Sequence, residues 1–480
     1  MKSKEKNLMI EKNEIIELNI EKLTYGGEGI GRIDGMTVFV PDTVAGDHIK
    51  AEIISVKKNM AKAIIKEIIT PSEHRTKPFC PLANACGGCQ WQHITYEEQL
   101  RAKKQIIKEC MQKIAGIDIQ LNDVISSEEV KEYRCKIQYP VQQTKISKRF
   151  LAGYYRKNTH DIVNIKYCPI QPKIIDEITE FLRKKAQELN LTAYNERNHK
   201  GLIRHFVFRY SRTNKDLLLT VVINAKESND IIEDLCSSVK KEFPAICGVL
   251  VNFNTSHSSV IIGTKTELIE GKDFIEETLD GKTFHISAES FFQVNPLTAQ
   301  KMFSEVRKIV KDKLLTDSAK PTILDVYAGS GSFSMFLNDL ASSITAVEES
   351  ESSVNDGIEN LKLNKIENIS FLKGNADSIL QELTQEEEET ADCEQNTERS
   401  HAEKFDIVIL DPPRKGCSES VIESVKKIAE KYIIYVSCNP STLARDVKLL
   451  SEDFIPEFIQ PVDMFCHTYH VESILVLTKK

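Results

Sequence analysis

No stretch of this sequence stays apolar for the roughly 20 residues that a bilayer-spanning helix needs. Its first residues, MKSKEKNLMIEKNEIIEL, are too heavily charged to form the apolar core of a signal peptide. Both absences point to a soluble, cytoplasmic, enzyme-sized protein. Positive charge is not in surplus either: 63 Lys and Arg stand against 71 Asp and Glu, a net of −8. That balance looks wrong for a nucleic-acid partner, whose phosphates reward basic surfaces. The sum hides an asymmetry. Residues 1–70 hold 11 basic and 11 acidic side chains, 71–290 hold 32 and 28, and 291–480 hold 20 and 32. Much of the acidic excess lies in 384–403, TQEEEETADCEQNTERSHAE, with eight acids and one base. Almost nothing there is apolar, so the segment is expected to be a solvated, disordered insertion without a function of its own. What the chain does have is cysteine. Twelve cysteines without a secretory signal argue for thiols, metal ligands or catalysis rather than disulfides.

A length of 480 residues allows two to four domains. After an N-terminal extension (1–13), residues 14–72 read as all-β. Short runs at Ile15–Leu23, Met36–Val40, His48–Val56 and Lys62–Ile69 are separated by turn signals. The spacing predicts a five-stranded OB-like barrel, a common single-stranded nucleic-acid module. Residues 73–289 read as a mixed α/β central domain that opens with a cysteine-bearing loop and a helix over 96–115. From 290 to 480 the strands TILDV, SITAVE, ISFLKG, FDIVIL and YIIYVS alternate with helices. That alternation predicts a parallel, doubly wound, Rossmann-like sheet.

The first of those strands runs into D-V-Y-A-G-S-G-S-F, residues 325–333. A glycine-rich turn there lets a ligand approach the backbone. The dinucleotide pattern G-x-G-x-x-G is not met, and Asp325 puts a carboxylate where a pyrophosphate would be disfavoured and a cation favoured. S-adenosylmethionine, with its ammonium and sulfonium, fits. Glu348, ending the next strand, is placed to accept from ribose hydroxyls. Asn375 and Asp377 follow the third strand and are candidates to face the adenine.

The fourth strand delivers D-P-P-R-K-G-C, 411–417, a carboxylate on a rigid Pro-Pro corner. Amino-group methylases place an aromatic residue after D/N-P-P; Arg414 stands here instead. The fifth strand delivers Cys438, in V-S-C-N-P. A buried structural thiol is the ordinary reading of a lone cysteine. This one stands at a strand end, where α/β sheets bind ligands. An electrophilic methyl plus a thiol suits a uracil, whose carbon 5 becomes nucleophilic once a thiolate has added to carbon 6. A base must then remove the carbon 5 proton. Glu472, at the start of the last strand, is the candidate. Cys438 is expected to have a lowered pKa from nearby positive charge. Cys417 also lies near, and spacing alone does not separate the two.

The motifs F-F-Q-V-N (291–295), D-V-Y-A-G-S-G-S-F, D-P-P-R-K-G, V-S-C-N-P-S-T-L-A-R-D and H-V-E-S-I resemble those of the RNA uracil-5-methyltransferase family, over essentially the whole chain. Members act on 23S ribosomal RNA or on the T-loop of transfer RNA. The resemblance implies Cys438 as nucleophile and Glu472 as proton acceptor. It also implies that Gln293, Tyr327, Ser332, Glu348, Asn375 and Asp411 surround the adenosylmethionine, and that the N-terminal barrel is similar to the TRAM domain. Ser332 departs from an Asn frequent in the ribosomal members. RNA cytosine-5 methylation is a second enzymatic reading, disfavoured because D-P-P-R replaces the Pro-Cys of those enzymes. A non-catalytic iron–sulfur RNA-binding module is a third, and predicts cofactor binding without turnover.

Cys80, Cys86 and Cys89 have the spacing C-x5-C-x2-C, and Cys168 lies apart in Y-C-P-I. Structural zinc favours two close pairs, so the lone fourth cysteine points to a closed, structural [4Fe–4S] cluster. The resemblance strengthens this, since ribosomal members with the pattern carry one, and through it favours 23S rRNA over tRNA. Residues 131–160 hold eight basic residues and one acid, interleaved with Tyr133, Tyr139, Phe150, Tyr154 and Tyr155. A second basic stretch, 197–215, includes Arg197, Lys200, Arg204, Arg209, Arg212 and Lys215. Together they are read as an RNA-binding region. A monomer is expected, because one chain supplies a complete site.

Overall fold

The computed structural model describes residues 10–315, 319–384 and 403–480. The core of the acidic insertion, 385–402, lies outside the described residues. No described helix is long and apolar enough to cross a membrane.

The N-terminal segment forms one six-stranded sheet rather than five strands. Its members are Ile15–Asn19, Lys22–Leu23, Gly29–Ile33, Met36–Val40, His48–Lys57 and Met60–Thr70. The strand the sequence hid is Gly29–Ile33, whose glycines look like turn residues. A Cβ on Gly31 would lie 2.4 Å from the Asn19 carbonyl oxygen, so glycine there marks close backbone approach rather than a turn. Alternating Ile16, Leu18, Val38, Val40, Ile49, Ala51 and Ile53 fill its core.

The central sheet has six strands in the order Lys265–Gly271, Ile246–Phe253, Leu217–Ile223, Ile203–Tyr210, Lys136–Gln143, Phe150–Ala152. Only the Leu217–Ile223 and Ile246–Phe253 pair runs parallel. Helices Lys173–Glu188 and Asp230–Glu242 pack on it through Ile175, Ile178, Leu182, Ile232, Leu235 and Val239.

The C-terminal sheet has eight strands. Ile369–Lys373, Ser343–Glu348, Thr322–Val326, Phe405–Leu410 and Ala429–Ser437 are mutually parallel, as the alternation of strands and helices predicts. Glu472–Lys479 then adds antiparallel, followed by Phe454–Val462. The last edge is Gln120–Leu121, from the stretch assigned by sequence to the central domain. The chain between helix Tyr96–Cys110 and Ile125 thus packs on the C-terminal body, and Ile107 and Met111 sit in its core.

Candidate active site

Register alone gathers the chemistry. Val326 pairs with Val347 and Leu410, and Leu410 pairs with Tyr435, so the carboxyl ends of four parallel strands stop at one level. Tyr327, Glu348, Asp411 and Cys438 leave from that level. Ser437 pairs with Ser473 on the antiparallel neighbour, so Glu472, beginning that strand, is delivered beside Cys438.

The three groups sense one another. Burial pushes the Glu472 carboxyl up to about 7, with Arg414 pulling it back. Asp411 is raised well above the carboxylate range by burial, then by Glu472 and Asp325. Cys438, half-buried, is pushed up to about 12 by burial, then by Glu472 and Asp411, and lowered by Arg414. The lowered thiol pKa expected from sequence is therefore corrected. One exposed guanidinium is outweighed by desolvation and two carboxylates. Cys417 is separated from this group. It is buried, its sulfur lies 3.6 Å from the Tyr435 hydroxyl oxygen, and it belongs to the core beneath the site.

Much of the two motifs turns out to be scaffold that holds Asp411 and Cys438 in place. Asn439 caps the helix Pro440–Leu450 through Ser441 N (3.1 Å) and donates to the Arg414 carbonyl (3.0 Å). Asp446 Oδ2 accepts from Cys417 N (2.9 Å) and from the Tyr435 hydroxyl (2.6 Å). Arg445 donates to the Lys415 and Cys417 carbonyls. Gly416 has φ +75°, and a Cβ on it would lie 2.5 Å from Asp446 Oδ2. Gly416→Val is expected to cost stability and, by prising Arg414 from Asn439, activity beyond the stability loss. Circular dichroism melting beside single-turnover rates separates the two effects.

The glycine turn is strained where a ligand would lie. Tyr327 holds φ +65°, a conformation non-glycine residues seldom adopt. Glu348 accepts from Gly329 N (2.9 Å) and Ser350 N (2.8 Å). Asp325 is fully buried. Its Oδ2 accepts from the Ser334 hydroxyl (2.6 Å) and amide (3.2 Å), whereas Oδ1 has no hydrogen-bond partner among the described residues. Burial pushes Asp325 up to about 6. Ser334, not singled out from sequence, is thus tied to this carboxylate, while Ser332 is only the first residue of the helix Ser332–Leu337. Asn375 is exposed and caps Asp377 N (2.9 Å). Asp377 does not stand free to face an adenine: its Oδ1 takes the hydroxyls of Ser418 (2.5 Å) and Ser420 (2.8 Å). Gln293 is half-buried, and its neighbour Asn295 caps the helix Pro296–Ile309. Phe292 is core, whereas Phe291 is 59% exposed.

Cys80, Cys86, Cys89 and Cys168 line one cavity, closed around by Leu82, Tyr154 and Ile170. Burial raises all four thiols, Cys89 to about 12, and each of the last three also feels another member of the set. Among the described residues no group of three or more His, Cys, Asp or Glu side chains is arranged to hold a metal ion.

The RNA-binding stretches divide. Tyr133, Tyr139 and Phe150 are core, at 1% exposure or less. Arg204 donates to the Asn254 and Ser256 carbonyls, Arg209 to those of Ala288 and Ser290, and Arg212 pairs with Glu129. Those three arginines and three aromatics are structural, so within the region read from sequence as RNA-binding they are not available as contacts. Two adjoining grooves that share His160 hold some of the others. One holds Arg156, Lys157 and Tyr155, the other Lys145, Lys148, Arg197 and Lys200.

Comparison with known proteins bears on this arrangement. The model of the tRNA (Uracil-5-)-methyltransferase family matches residues 95–480, and that of the TRAM domain matches residues 11–66. An uncharacterized RNA methyltransferase of Clostridium tetani is 34% identical over 98% of each chain, and one of Clostridium acetobutylicum is 35% identical over 99% of each. The crystal structure of the Pyrococcus abyssi tRNA (uracil-54, C5)-methyltransferase, in complex with S-adenosyl-L-homocysteine, superposes with a TM-score of 0.71 at 25% identity. The match covers 96% of this chain and 100% of that one. With family model, full-length relatives and fold in agreement, this chain belongs to the tRNA (uracil-5-)-methyltransferase family and is an RNA methyltransferase enzyme.

Proposed function

We propose that the protein methylates carbon 5 of a specific uridine in 23S ribosomal RNA, with Cys438 as nucleophile, Glu472 as proton acceptor and S-adenosylmethionine as methyl donor. The observation that carries this reading is the meeting of Cys438, Glu472, Asp411 and Arg414 at aligned strand ends. Cys438 attacks carbon 6 of the extruded base as the thiolate, its proton, which burial holds on the sulfur, passing to water. Carbon 5 then takes the methyl group. Glu472 removes the carbon 5 proton, and the carbon–sulfur bond breaks to release product.

Adenosylmethionine supplies the electrophilic methyl when bound, and the residues present suit it. Asp325 has an unpartnered buried oxygen, and burial raises the pKa values of Asp325, Asp411 and Glu472. A sulfonium and an ammonium suit those carboxylates. Gln293, Tyr327, Ser332, Glu348, Asn375 and Asp411 are proposed to surround it. Asp325→Asn keeps the shape and removes the charge. It is expected to weaken S-adenosylhomocysteine binding about 10-fold or more, the scale of one charged contact, read by calorimetry.

A cluster such as [4Fe–4S] takes its ligands at separate irons, so the thiols stand around it and not within the roughly 2.3 Å Zn–S shell of one zinc ion. What supports this reading is that Cys80, Cys86, Cys89 and Cys168 line one cavity. Anaerobic reconstitution with broad visible absorption, lost in Cys89→Ser, is expected. Tight zinc binding without that absorption would remove iron from the reading.

A transfer RNA substrate is the second reading, favoured by the likeness to the Pyrococcus abyssi enzyme, which is a tRNA (uracil-54, C5)-methyltransferase. The deciding experiment is trapping. Fluorine at carbon 5 cannot leave as a proton, so 5-fluorouridine-substituted RNA should freeze the adduct. Protein is incubated with adenosylmethionine and either 23S fragments or tRNA, and a shifted denaturing-gel band is mapped by peptide. An adduct at Cys438 on 23S RNA is expected; one on tRNA alone moves the substrate; none on either sinks the covalent mechanism. Natural RNA adds a pH test. With Glu472 near 7, adduct breakdown is expected to fall as pH drops through 7 and the acceptor fills with a proton. Adduct formation on fluorinated RNA bypasses that step and should not share the limb.

A further inference from the structure

A loop of the N-terminal sheet reaches the active site. Between the strands Lys22–Leu23 and Gly29–Ile33, the Tyr25 hydroxyl donates to the Cys438 carbonyl at 3.4 Å. Its proton is held tightly, for burial and then the Cys438 thiol push the phenol up to about 12, so it serves as a donor and not as a base. The ring stands edge-on to Tyr469, centroids 5.6 Å apart, and Tyr469 lies tilted against His470, centroids 4.3 Å apart, two residues before Glu472.

The loop is fixed in that position. Thr24 binds the Glu28 carbonyl through both its amide (2.9 Å) and its hydroxyl (3.0 Å). The indole of the fully buried Trp91 donates to the Gly27 carbonyl at 3.0 Å. Gly27 holds φ +89°, and a Cβ there would lie 2.9 Å from the Tyr469 ring. From this point a groove lined by Gly27, Gly87, Arg156, Lys157 and Tyr469 leads outward. Basic groups along it meet phosphates, and aromatic rings at its inner end meet bases.

We propose that Tyr25 is a positioning residue for the target base: its ring is the wall against which the extruded uracil stacks while carbon 6 is presented to Cys438. This rests on the uridine-methylating reading above. A half-buried aromatic ring adjoins a nucleophile whose partner is a flat pyrimidine, and the chemistry gives the phenol no proton to move. The N-terminal module is then part of the reaction site and not only a tether for RNA.

The test uses the full chain and 5-fluorouridine RNA, reading the adduct rate at saturating RNA, the half-saturating RNA concentration and the melting midpoint. Tyr25→Ala and Tyr25→Leu are expected to slow adduct formation about 10- to 100-fold, the scale of one lost base–aromatic stack. Half-saturation and melting should barely move. Tyr25→Phe keeps the ring and should restore the rate to within about threefold. Tyr25→Leu, which keeps the bulk, carries the test if Tyr25→Ala melts early. Wild-type rates in Tyr25→Leu overturn the proposal. So does a Tyr25→Phe as slow as Tyr25→Ala, which would assign the effect to the hydroxyl on the Cys438 carbonyl. Absence of adduct in the wild type overturns the underlying reading as well, and is thereby told apart from failure of Tyr25 alone.

Discussion

Cys438→Ala and Glu472→Gln are both expected to lose turnover and to be opposite on a denaturing gel. Without the thiol, carbon 5 never becomes nucleophilic. Methyl transfer should fall by on the order of 10⁴-fold or more, the scale on which loss of a covalent nucleophile acts, and no RNA adduct should form. Glutamine at 472 leaves attack and methylation possible but cannot accept the carbon 5 proton. Release should slow by about 10²- to 10⁴-fold, the worth of a positioned base, so a methylated adduct should accumulate on natural, unfluorinated RNA. Stability gives an independent check with a definite sign. Glu472 is raised from 4.5 to about 7 on folding. Its contribution to stability is thus fully present below about 4.5 and is lost as pH rises through about 7. Glutamine does not suffer that loss, so at pH 8 the variant should melt no lower than wild type. An inactive Glu472→Gln that forms no adduct would assign Glu472 to adduct formation and not to removal of the carbon 5 proton.

That Asp411 and Cys438 could be placed on one edge from sequence follows from how parallel sheets work, whereas Glu472 begins an antiparallel strand and was singled out by the H-V-E-S-I motif. The five apolar runs TILDV to YIIYVS declare their strands, and every strand end in such a sheet opens on the same edge. Position in the chain therefore translates into position at the site. The cysteine set was legible by similar logic, since spacing alone brings Cys80, Cys86 and Cys89 into one loop. Residues that act through tertiary contact were not legible. Nothing near Tyr25 in sequence hints at Cys438, 413 positions away. Arg445 and Asp446 stood inside a quoted motif, yet their task is visible only once Cys417 N and the Lys415 carbonyl are seen to face them. Burial likewise overruled sequence at Arg204 and Arg209, where a basic stretch became a set of internal struts. Charge composition cannot reveal which guanidinium a carbonyl has already claimed. It also misled for Cys438, because sequence shows Arg414 nearby but not how far desolvation and two carboxylates outweigh it.

The segment before Glu472 suggests where the enzyme is most fragile. Lys103, on the helix Tyr96–Cys110, is wholly buried and paired at 2.5 Å with Asp463, also wholly buried. Lys103 donates as well to the Phe465 carbonyl (3.1 Å), and Tyr96 donates to the other Asp463 oxygen (2.7 Å). Next along, His467 N donates to Gln99 (2.9 Å), and the His467 carbonyl takes the amides of Gln90 and Trp91, just after Cys89. The loop that delivers Glu472 is thus hung on one buried ion pair and on the cysteine loop. Lys103→Met strands a carboxylate without its cation, and is expected to cost about 3–5 kcal/mol, because the desolvation of Asp463 is no longer offset. Lys103→Met combined with Asp463→Leu removes both charges and should regain most of that loss. The sole tryptophan makes this measurable in place, since Trp91 is fully buried and the Lys103 ammonium lies 6.0 Å from its ring centroid. Urea unfolding followed by Trp91 fluorescence should show an early midpoint for the single variant and a recovered one for the double. A single variant that unfolds with the wild type would mean that water or rearrangement already relieves Asp463, and that the Glu472 loop is held by its backbone contacts alone.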